Sequence, residues 1–145
     1  MLKTIAITGA IIIALGVGAT FLPLGDDPVT GNSGEPSDVS DIAHVTLPDT
    51  LTQNAQIGQR AYEANCAACH GINAAGQEGV APPLVHTIYE PSHHADESFQ
   101  RAVALGVRAH HWPFGNMPEV EGLTRGDVTL ITAYIRELQR ANGID

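Results

Sequence analysis

The 145-residue chain contains little cysteine, few aromatic residues and little positive charge. Two cysteines are too few for a framework of disulfide bonds, and aromatic residues at 5% would form only a thin core by themselves. Seven lysine and arginine residues against sixteen acidic ones give a formal net charge of −9. This charge argues against nucleic-acid binding, which needs cations that neutralise phosphates. Hydrophobic residues nevertheless make up 43% of the chain, enough for one folded domain of ordinary size.

The first part of the chain is a long apolar segment. No charged residue lies between Lys3 and Asp26, and about 20 apolar residues in a helix span roughly 30 Å of hydrocarbon. We therefore predict that residues 1–24 form a single-pass anchor in the inner membrane, or a signal peptide cleaved after Ala19 that leaves a soluble periplasmic protein. The apolar run continues beyond Ala19, which favours the anchor. Lys3 before it and acids after it place the rest of the chain in the periplasm.

Residues 25–49 have the composition of a linker. They contain six acids, three prolines and no lysine or arginine, and they show neither helical nor strand period. Such a stretch buries too little apolar surface to offset the entropy of ordering it, so we predict an acidic, flexible linker. The alternative is a strap packed on the domain through His44, Val45 and Leu47.

Residues 50–145 are predicted to form an all-α domain. Three stretches have apolar residues at helical spacing, a capping residue before them and a stop signal after them. Between these helices, the loops at 71–95 and 107–123 are long for so small a domain unless something organises them. The predicted helices run from Thr50, with Thr52 as the next-best cap, to about Asn65; from the Asp96 cap to Gly106; and from the Thr124 cap to Asn142-Gly143.

The segment Cys66-Ala67-Ala68-Cys69-His70 is the most informative in the chain. In an exported protein, a C-x-x-C-H run is the attachment sequence of a c-type haem. Two thiols three residues apart reach the two vinyl groups on one side of a porphyrin, and the adjacent histidine then lies under the ring. We predict that Cys66 and Cys69 form thioethers to one covalently bound haem c and that His70 is the proximal iron ligand.

Three other uses of a cysteine pair fit this sequence less well. A thioredoxin-like redox pair follows a strand, whereas a predicted helix precedes Cys66. A zinc site needs four ligands, usually with a second pair at similar spacing, and the chain has no second cysteine pair. A disulfide across two residues is strained.

Met117 is the predicted distal iron ligand, and it is the only methionine in residues 50–145. Pro118 biases it towards extended backbone and so keeps it in a loop. A thioether is a soft ligand, and ligation by methionine and histidine raises the iron potential. A lone methionine more often fills core space, and His110 or His111 offers a bis-histidine alternative.

These motifs resemble the class I mono-haem cytochromes c over about residues 51–144. Gly58, Tyr62 and Asn65 look like the first helix of that family, G-x-x-x-Y-x-x-N-C-x-x-C-H. The resemblance implies an all-α fold in which this helix crosses the C-terminal helix closely, with Gly58 and Tyr62 against Tyr134. It also implies that the long loops wrap round the haem.

Pro82-Pro83-Leu84 resembles the P-x-L segment of the same family. The resemblance implies that the Pro82 carbonyl accepts a hydrogen bond from the second ring nitrogen of His70, which fixes the tautomer and makes the ligand more basic. A rigid proline loop without that contact is the alternative.

The resemblance to the mitochondrial members stops at the charged surface. Those proteins ring the haem edge with lysines, whereas residues 50–145 contain no lysine, and ten acids against six arginines leave this part near −4. Arg101, Arg108 and Trp112 are candidate partners of the haem propionates or packing at the haem edge. The alternatives are a solvated surface position for each arginine and, for Trp112 with Pro113 and Phe114, a distal pocket lined as ordinary core.

The domain is rich in further histidines. The pair His93-His94 lies near Glu90 and Asp96, a set that offers a candidate copper or zinc site. Adjacent histidines in an exposed loop are, alternatively, simply solvated.

The predicted function is electron transfer rather than catalysis. A haem iron with two protein ligands leaves no position for substrate, and the sequence shows no triad or paired-carboxylate motif. We expect single electrons to pass between membrane-associated partners on the periplasmic side, such as a quinol–cytochrome c reductase and a terminal oxidase, terminal reductase or photosynthetic reaction centre. The alternatives are a fixed haem subunit of a larger respiratory or photosynthetic complex, and a haem-based gas or redox sensor with a labile distal ligand.

Overall fold

The computed structural model describes residues 41–145, and this part of the chain is helical. Two isolated bridges are its only β-type pairings, so the all-α prediction is confirmed. The α-helices are α1 (Gln53–Asn65), α2 (Ala67–His70), α3 (Asp96–Leu105) and α4 (Arg125–Ala141), and the 3-10 turns are Ile72–Ala74 and Thr87–Tyr89.

The predicted membrane anchor, residues 1–24, lies outside the described residues, as does most of the predicted linker, residues 25–49. Among the helices of residues 41–145, none combines the length and the apolar character needed to cross a membrane. The boundaries at residues 24 and 49 stay predictions.

Helices α1 and α4 cross so closely that backbone meets backbone. A Cβ at Gly58 would lie 1.9 Å from the Leu130 carbonyl oxygen, so the crossing requires a residue without a side chain. Beside this point the rings of Tyr62 and Tyr134 pack with their centroids 5.6 Å apart. The close helix crossing expected at these residues is confirmed.

Helix α4 supplies the largest share of the core. Ile131, Tyr134, Ile135 and Leu138 recur at helical spacing, and each is at most 3% exposed. The helix begins at the predicted Thr124 cap, which forms a capping box: the Thr124 hydroxyl accepts from the amide of Asp127 while the Asp127 carboxylate accepts from the amide of Thr124.

Two helix starts differ from the sequence prediction. Thr52, not Thr50, caps α1, because its hydroxyl accepts from the amide of Ala55 and is itself held by the Glu137 carboxylate of α4. Asp96 is the first residue of α3 rather than its cap, since its carboxylate pairs with Arg136 at 2.9 Å.

Residues 42–46 lie against the domain. The amides of Ile42 and Ala43 donate to the carbonyl of Ala75, at 3.2 and 2.9 Å. The backbone of Thr46 exchanges two hydrogen bonds of 2.9 Å with the side-chain amide of Asn142. Val45 between them packs against the core, which joins this segment to the end of α4.

Candidate functional site

The cysteine pair lies where α1 gives way to α2. The Cys66 amide donates to the Tyr62 carbonyl at 2.7 Å, and the Cys66 carbonyl accepts from the amides of Cys69 and His70 at 3.1 and 2.9 Å. One turn of helix therefore separates the two sulfur atoms. The two sulfur atoms are not joined to each other; the Cys66 side chain is half-buried and that of Cys69 is exposed.

The electrostatics at Cys66 oppose a thioredoxin-like role. Burial raises the pKa of its thiol to about 11, and the neighbouring Cys69 adds to the rise. A redox-active pair needs the reverse, a pKa lowered towards neutrality so that a thiolate is present. The preceding element is also a helix rather than a strand.

His70 has a fixed tautomer. Its Nδ1 lies 2.9 Å from the Pro82 carbonyl oxygen, and since a carbonyl only accepts, Nδ1 carries the proton and Nε2 keeps its lone pair. Burial lowers the pKa of His70, and the hydrogen bond to Pro82 opposes that shift in part. The imidazole is therefore neutral at neutral pH, the form that ligates metals. The hydrogen bond implied by the P-x-L segment is present.

Two glycines bring the Pro82 segment against His70. Gly71 has φ +74°, and its carbonyl accepts from the Tyr62 hydroxyl at 2.9 Å. The amide of Gly76, with φ +78°, donates to the His70 carbonyl at 2.7 Å, and a Cβ at Gly76 would lie 2.5 Å from the Pro83 nitrogen. The sequence offers no sign of these two roles, because glycines are ordinary in any loop.

Met117 lies at the end of a separate loop that closes on its own start, just after α3. Its backbone exchanges hydrogen bonds of 2.9 and 3.0 Å with Val107, just after α3. The Asn116 side chain accepts from the amide of Ala109 at 2.9 Å, which closes the same loop one step further out. A Cβ at Gly106 would lie 2.5 Å from the Met117 carbonyl oxygen. The Met117 side chain is half-buried, and its backbone is extended as Pro118 predicts.

The two histidines of the bis-histidine alternative lie in a surface group with two other histidines. His110 and His111 are both exposed, and their rings approach those of His93 and His94, with centroids 5.3 Å apart for His93 and His111. Desolvation and the neighbouring imidazoles hold the pKa of His111 below its ordinary value. The structure therefore groups these side chains with one another.

Trp112 presents a buried donor. Its ring stacks on Phe114 and meets His86 edge-on, with centroids 5.8 and 5.2 Å away. Burial raises the pKa of the adjacent Tyr89 to about 12, with a partly opposing effect from the Trp112 indole. The two groups are close, yet no described residue accepts from Trp112 Nε1 in hydrogen-bond geometry. A buried donor without an acceptor costs about 1–3 kcal/mol, so this N–H is suited to an acceptor on a bound group.

Arg136 ties α4 to the segment between Tyr89 and Asp96, and no sequence motif marks it. Its buried guanidinium donates to the carboxylate of Asp96, the side chain of Gln139 and the carbonyls of Tyr89 and His94. The one available signal is its position next to Ile135, at the edge of the apolar face of α4. Arg101 and Arg108, the arginines that the sequence did single out, are both exposed.

The residues of this site fit a covalently attached haem. The two thiols suit the vinyl groups, the Nε2 lone pair of His70 suits the iron, and the Trp112 N–H lacks an acceptor of the kind that a propionate provides. A family model described as Cytochrome c matches residues 55–139, more than half of the chain and all of these positions. Among curated proteins, no match is found. The chain therefore belongs to the cytochrome c family, whose members carry covalently bound haem c, and its role is haem-based electron transfer with redox protein partners.

Proposed function

We propose that this protein is a tethered periplasmic carrier that passes single electrons between membrane-associated redox partners, with its haem iron held by His70 and Met117. The arrangement of the two loops carries this proposal. The Pro82 carbonyl fixes one candidate ligand, and the Val107 backbone pairing fixes the other. The haem supplies a reversible one-electron couple between Fe(III) and Fe(II).

The chain would attach and orient the haem through groups already held in place. Cys66 and Cys69 would each add a thiol S–H across a vinyl group, which forms a thioether without another reactant. His70 would then present Nε2 to the iron, with Nδ1–H retained by the Pro82 carbonyl so that the imidazole is a more basic ligand. The Trp112 N–H would donate to a propionate.

Met117 suits the distal position because hydrogen bonds hold its loop closed. A thioether binds iron weakly, so the entropy of ordering a free loop would oppose ligation. The two backbone hydrogen bonds to Val107 and the Asn116 contact with Ala109 restrict this loop independently of the iron. Preorganisation of this kind supports a six-coordinate iron that exchanges electrons but does not bind substrate.

The surface beside the cysteine pair supports partner docking through apolar contact. Ile72 and Val80 are 55% and 49% exposed. The side-chain amide of Gln77 ties their turn to the attachment helix by donating to the carbonyls of Ala67 and Ala68, at 3.2 and 3.1 Å. Because residues 50–145 contain no lysine, a lysine ring is not the means of recognition.

Residues 1–24, as an anchor, and the acidic segment that follows them would hold the domain near its partners. A domain confined within tens of ångströms of a membrane meets membrane proteins more often than a dilute free one does. The partners would be a quinol–cytochrome c reductase as donor, and a terminal oxidase, terminal reductase or photosynthetic reaction centre as acceptor. Removal of residues 1–19 would convert the same carrier into a soluble periplasmic one.

The ligation is tested by Met117→Ala, with His110→Ala and His111→Ala as the matched comparison. In Met117→Ala we expect the haem to stay covalently attached, the ferric spectrum to lose its low-spin character and the potential to fall. The two histidine variants should match the wild type. An unchanged spectrum and potential in Met117→Ala, with a change in either histidine variant, would show that a histidine is the distal ligand.

The carrier role is tested by mild detergent extraction and by carbon monoxide binding to the reduced protein. We expect the full chain to extract without stoichiometric partners and to bind carbon monoxide slowly at neutral pH. Co-purification in a stable complex would show a fixed subunit. Rapid carbon monoxide binding would show an open distal position, as a sensor requires.

A further inference from the structure

Four histidines from two loops meet on the surface of the domain. His93 and His94 follow the 3-10 turn Thr87–Tyr89, and His110 and His111 follow α3. The ring centroids of His93 and His94 are 4.7 Å apart, and both rings lie within 5.4 Å of the His111 ring. A sequence separation of seventeen residues between His94 and His111 means that the fold, not local spacing, assembles this cluster.

The two carboxylates near the histidine pair are engaged elsewhere. Glu90 accepts a hydrogen bond from the hydroxyl of Ser92 at 2.8 Å. Asp96 pairs with the buried guanidinium of Arg136. Neither carboxylate belongs to the group of side chains whose ligand atoms lie within 4.8 Å of one another, whereas His111 joins His93 and His94 in it.

We propose that His93, His94 and His111 form a binding site for one divalent transition-metal cation such as zinc. One ring nitrogen from each of these residues lies within 4.8 Å of the others. Tetrahedral zinc with Zn–N bonds of about 2.0–2.1 Å places its ligand nitrogens about 3.4 Å apart. His93 and His111 are exposed, so rotation of their side chains closes the remaining distance without movement of the core.

His94 is the fixed member of the set. Its Nδ1 donates to the Ile88 carbonyl at 2.6 Å, which leaves Nε2 with a lone pair and orients the ring as outer hydrogen bonds orient metal ligands elsewhere. Its own carbonyl accepts from Arg136. The charge of that guanidinium is paired with Asp96, which reduces its repulsion of a cation.

Two groups are available as the fourth ligand of the metal. Water is one, and His110 is the other, because its ring centroid lies 4.2 Å from that of His111. The Nδ1 of His110 donates to the Arg108 carbonyl at 2.8 Å, so the lone pair on its Nε2 is also available to bind a metal. Three imidazoles with one water, or four imidazoles, are sets suited to zinc and copper rather than to magnesium or calcium.

A metal here would add a bond between two loops that already meet where the Trp112 ring packs on His86. One loop carries His94, and the other runs from Val107 to Met117 through His111. Closing them with a metal restricts both. The site itself does not depend on the identity of the distal iron ligand, so its test reads bound zinc and can fail or succeed independently of the proposed haem ligation.

The test is equilibrium dialysis of the haem-loaded full chain against micromolar Zn²⁺, with zinc counted against haem absorbance. We compare His93→Gln and His111→Gln with His44→Gln, an exposed histidine in the acidic segment outside the cluster. The wild type and His44→Gln should bind one zinc per haem. Each cluster variant should bind at least about tenfold more weakly. Zinc at a hundredfold excess over its Kd should raise the wild-type Tm by about 5 °C or more.

Two results would overturn the site. One is less than half an equivalent of zinc on the wild type throughout the micromolar range. The other is equal affinity in all variants, which would place zinc on acidic groups or elsewhere. Far-ultraviolet circular dichroism and the Soret band establish that each variant is folded and loaded before it is compared. Slower amide hydrogen exchange at residues 107–117 in the presence of zinc is the second readout of the loop connection, and its absence would show that the metal does not join the loops.

Discussion

The closest point of the α1–α4 crossing gives the sharpest stability prediction. In Gly58→Ala the new Cβ would lie 1.9 Å from the Leu130 carbonyl oxygen and 2.5 Å from its carbon. Ordinary van der Waals contact begins at 3.4 Å. Both neighbouring atoms belong to the backbone, so no side chain can rotate away. The helices must separate by about 1.5 Å, and the Tyr62–Tyr134 contact opens with them.

The size of the effect follows from two opposing contributions. Overpacking of a core costs about 1–3 kcal/mol, and more where backbone must move, so we take about 3–4 kcal/mol for this site. Alanine favours a helix over glycine by about 1 kcal/mol. The net loss in the free energy of unfolding is about 2–3 kcal/mol, which corresponds to a fall in Tm of about 10–20 °C for a domain of this size.

The assay is denaturant unfolding of the haem-loaded ferric protein, followed by circular dichroism. Gly126→Ala is the matched control, because Gly126 lies in α4 and the nearest atom to its added Cβ is 3.5 Å away. That variant should be as stable as the wild type, or more stable by up to about 1 kcal/mol. If Gly58→Ala proves as stable as Gly126→Ala, the close crossing is refuted.

Two further predictions concern polar contacts. Arg136→Met should lower the free energy of unfolding by about 3 kcal/mol, because it removes a buried guanidinium from four acceptors. Arg140→Met, at an exposed position, should have little effect. Equal stability of the two variants would contradict the structural role of Arg136. Hydrogen bonds from the Thr124 hydroxyl and amide hold the pKa of Asp127 below its usual value. The wild type should therefore be more stable than Asp127→Asn above the unfolded pKa of about 3.9, and the difference in Tm should vanish as the pH falls through the lower folded pKa. A difference in Tm that does not change with pH would refute a stabilising role of the ionised Asp127 carboxylate.

The features that the sequence predicted correctly depend on local pattern. The apolar period of α4, its Thr124 cap and its stop at Gly143 are all properties of consecutive residues. The haem c that members of the family carry was also expected from a local pattern, because C-x-x-C-H chemistry needs only the spacing of three side chains. The crossing at Gly58 came from resemblance, since nothing in an isolated helix indicates which glycine faces a partner.

The features that the sequence did not predict depend on distant partners. Thr52 rather than Thr50 caps α1 because Glu137, in α4, holds its hydroxyl. Asp96 is not the cap of α3 because its carboxylate pairs with the buried Arg136. The grouping of His111 with His93 requires two loops without period to fold towards each other, and no propensity specifies that.

The contacts of residues 42–46 determine how force along the chain enters the domain. A pull on the chain at residue 41 would meet the two hydrogen bonds to the Ala75 carbonyl first, and then the paired hydrogen bonds between Thr46 and Asn142. Four hydrogen bonds therefore lie between such a pull and the start of α1. Tension in the segment that precedes the domain would therefore have to break these hydrogen bonds before it reached α1 and the cysteine pair at the far end of that helix.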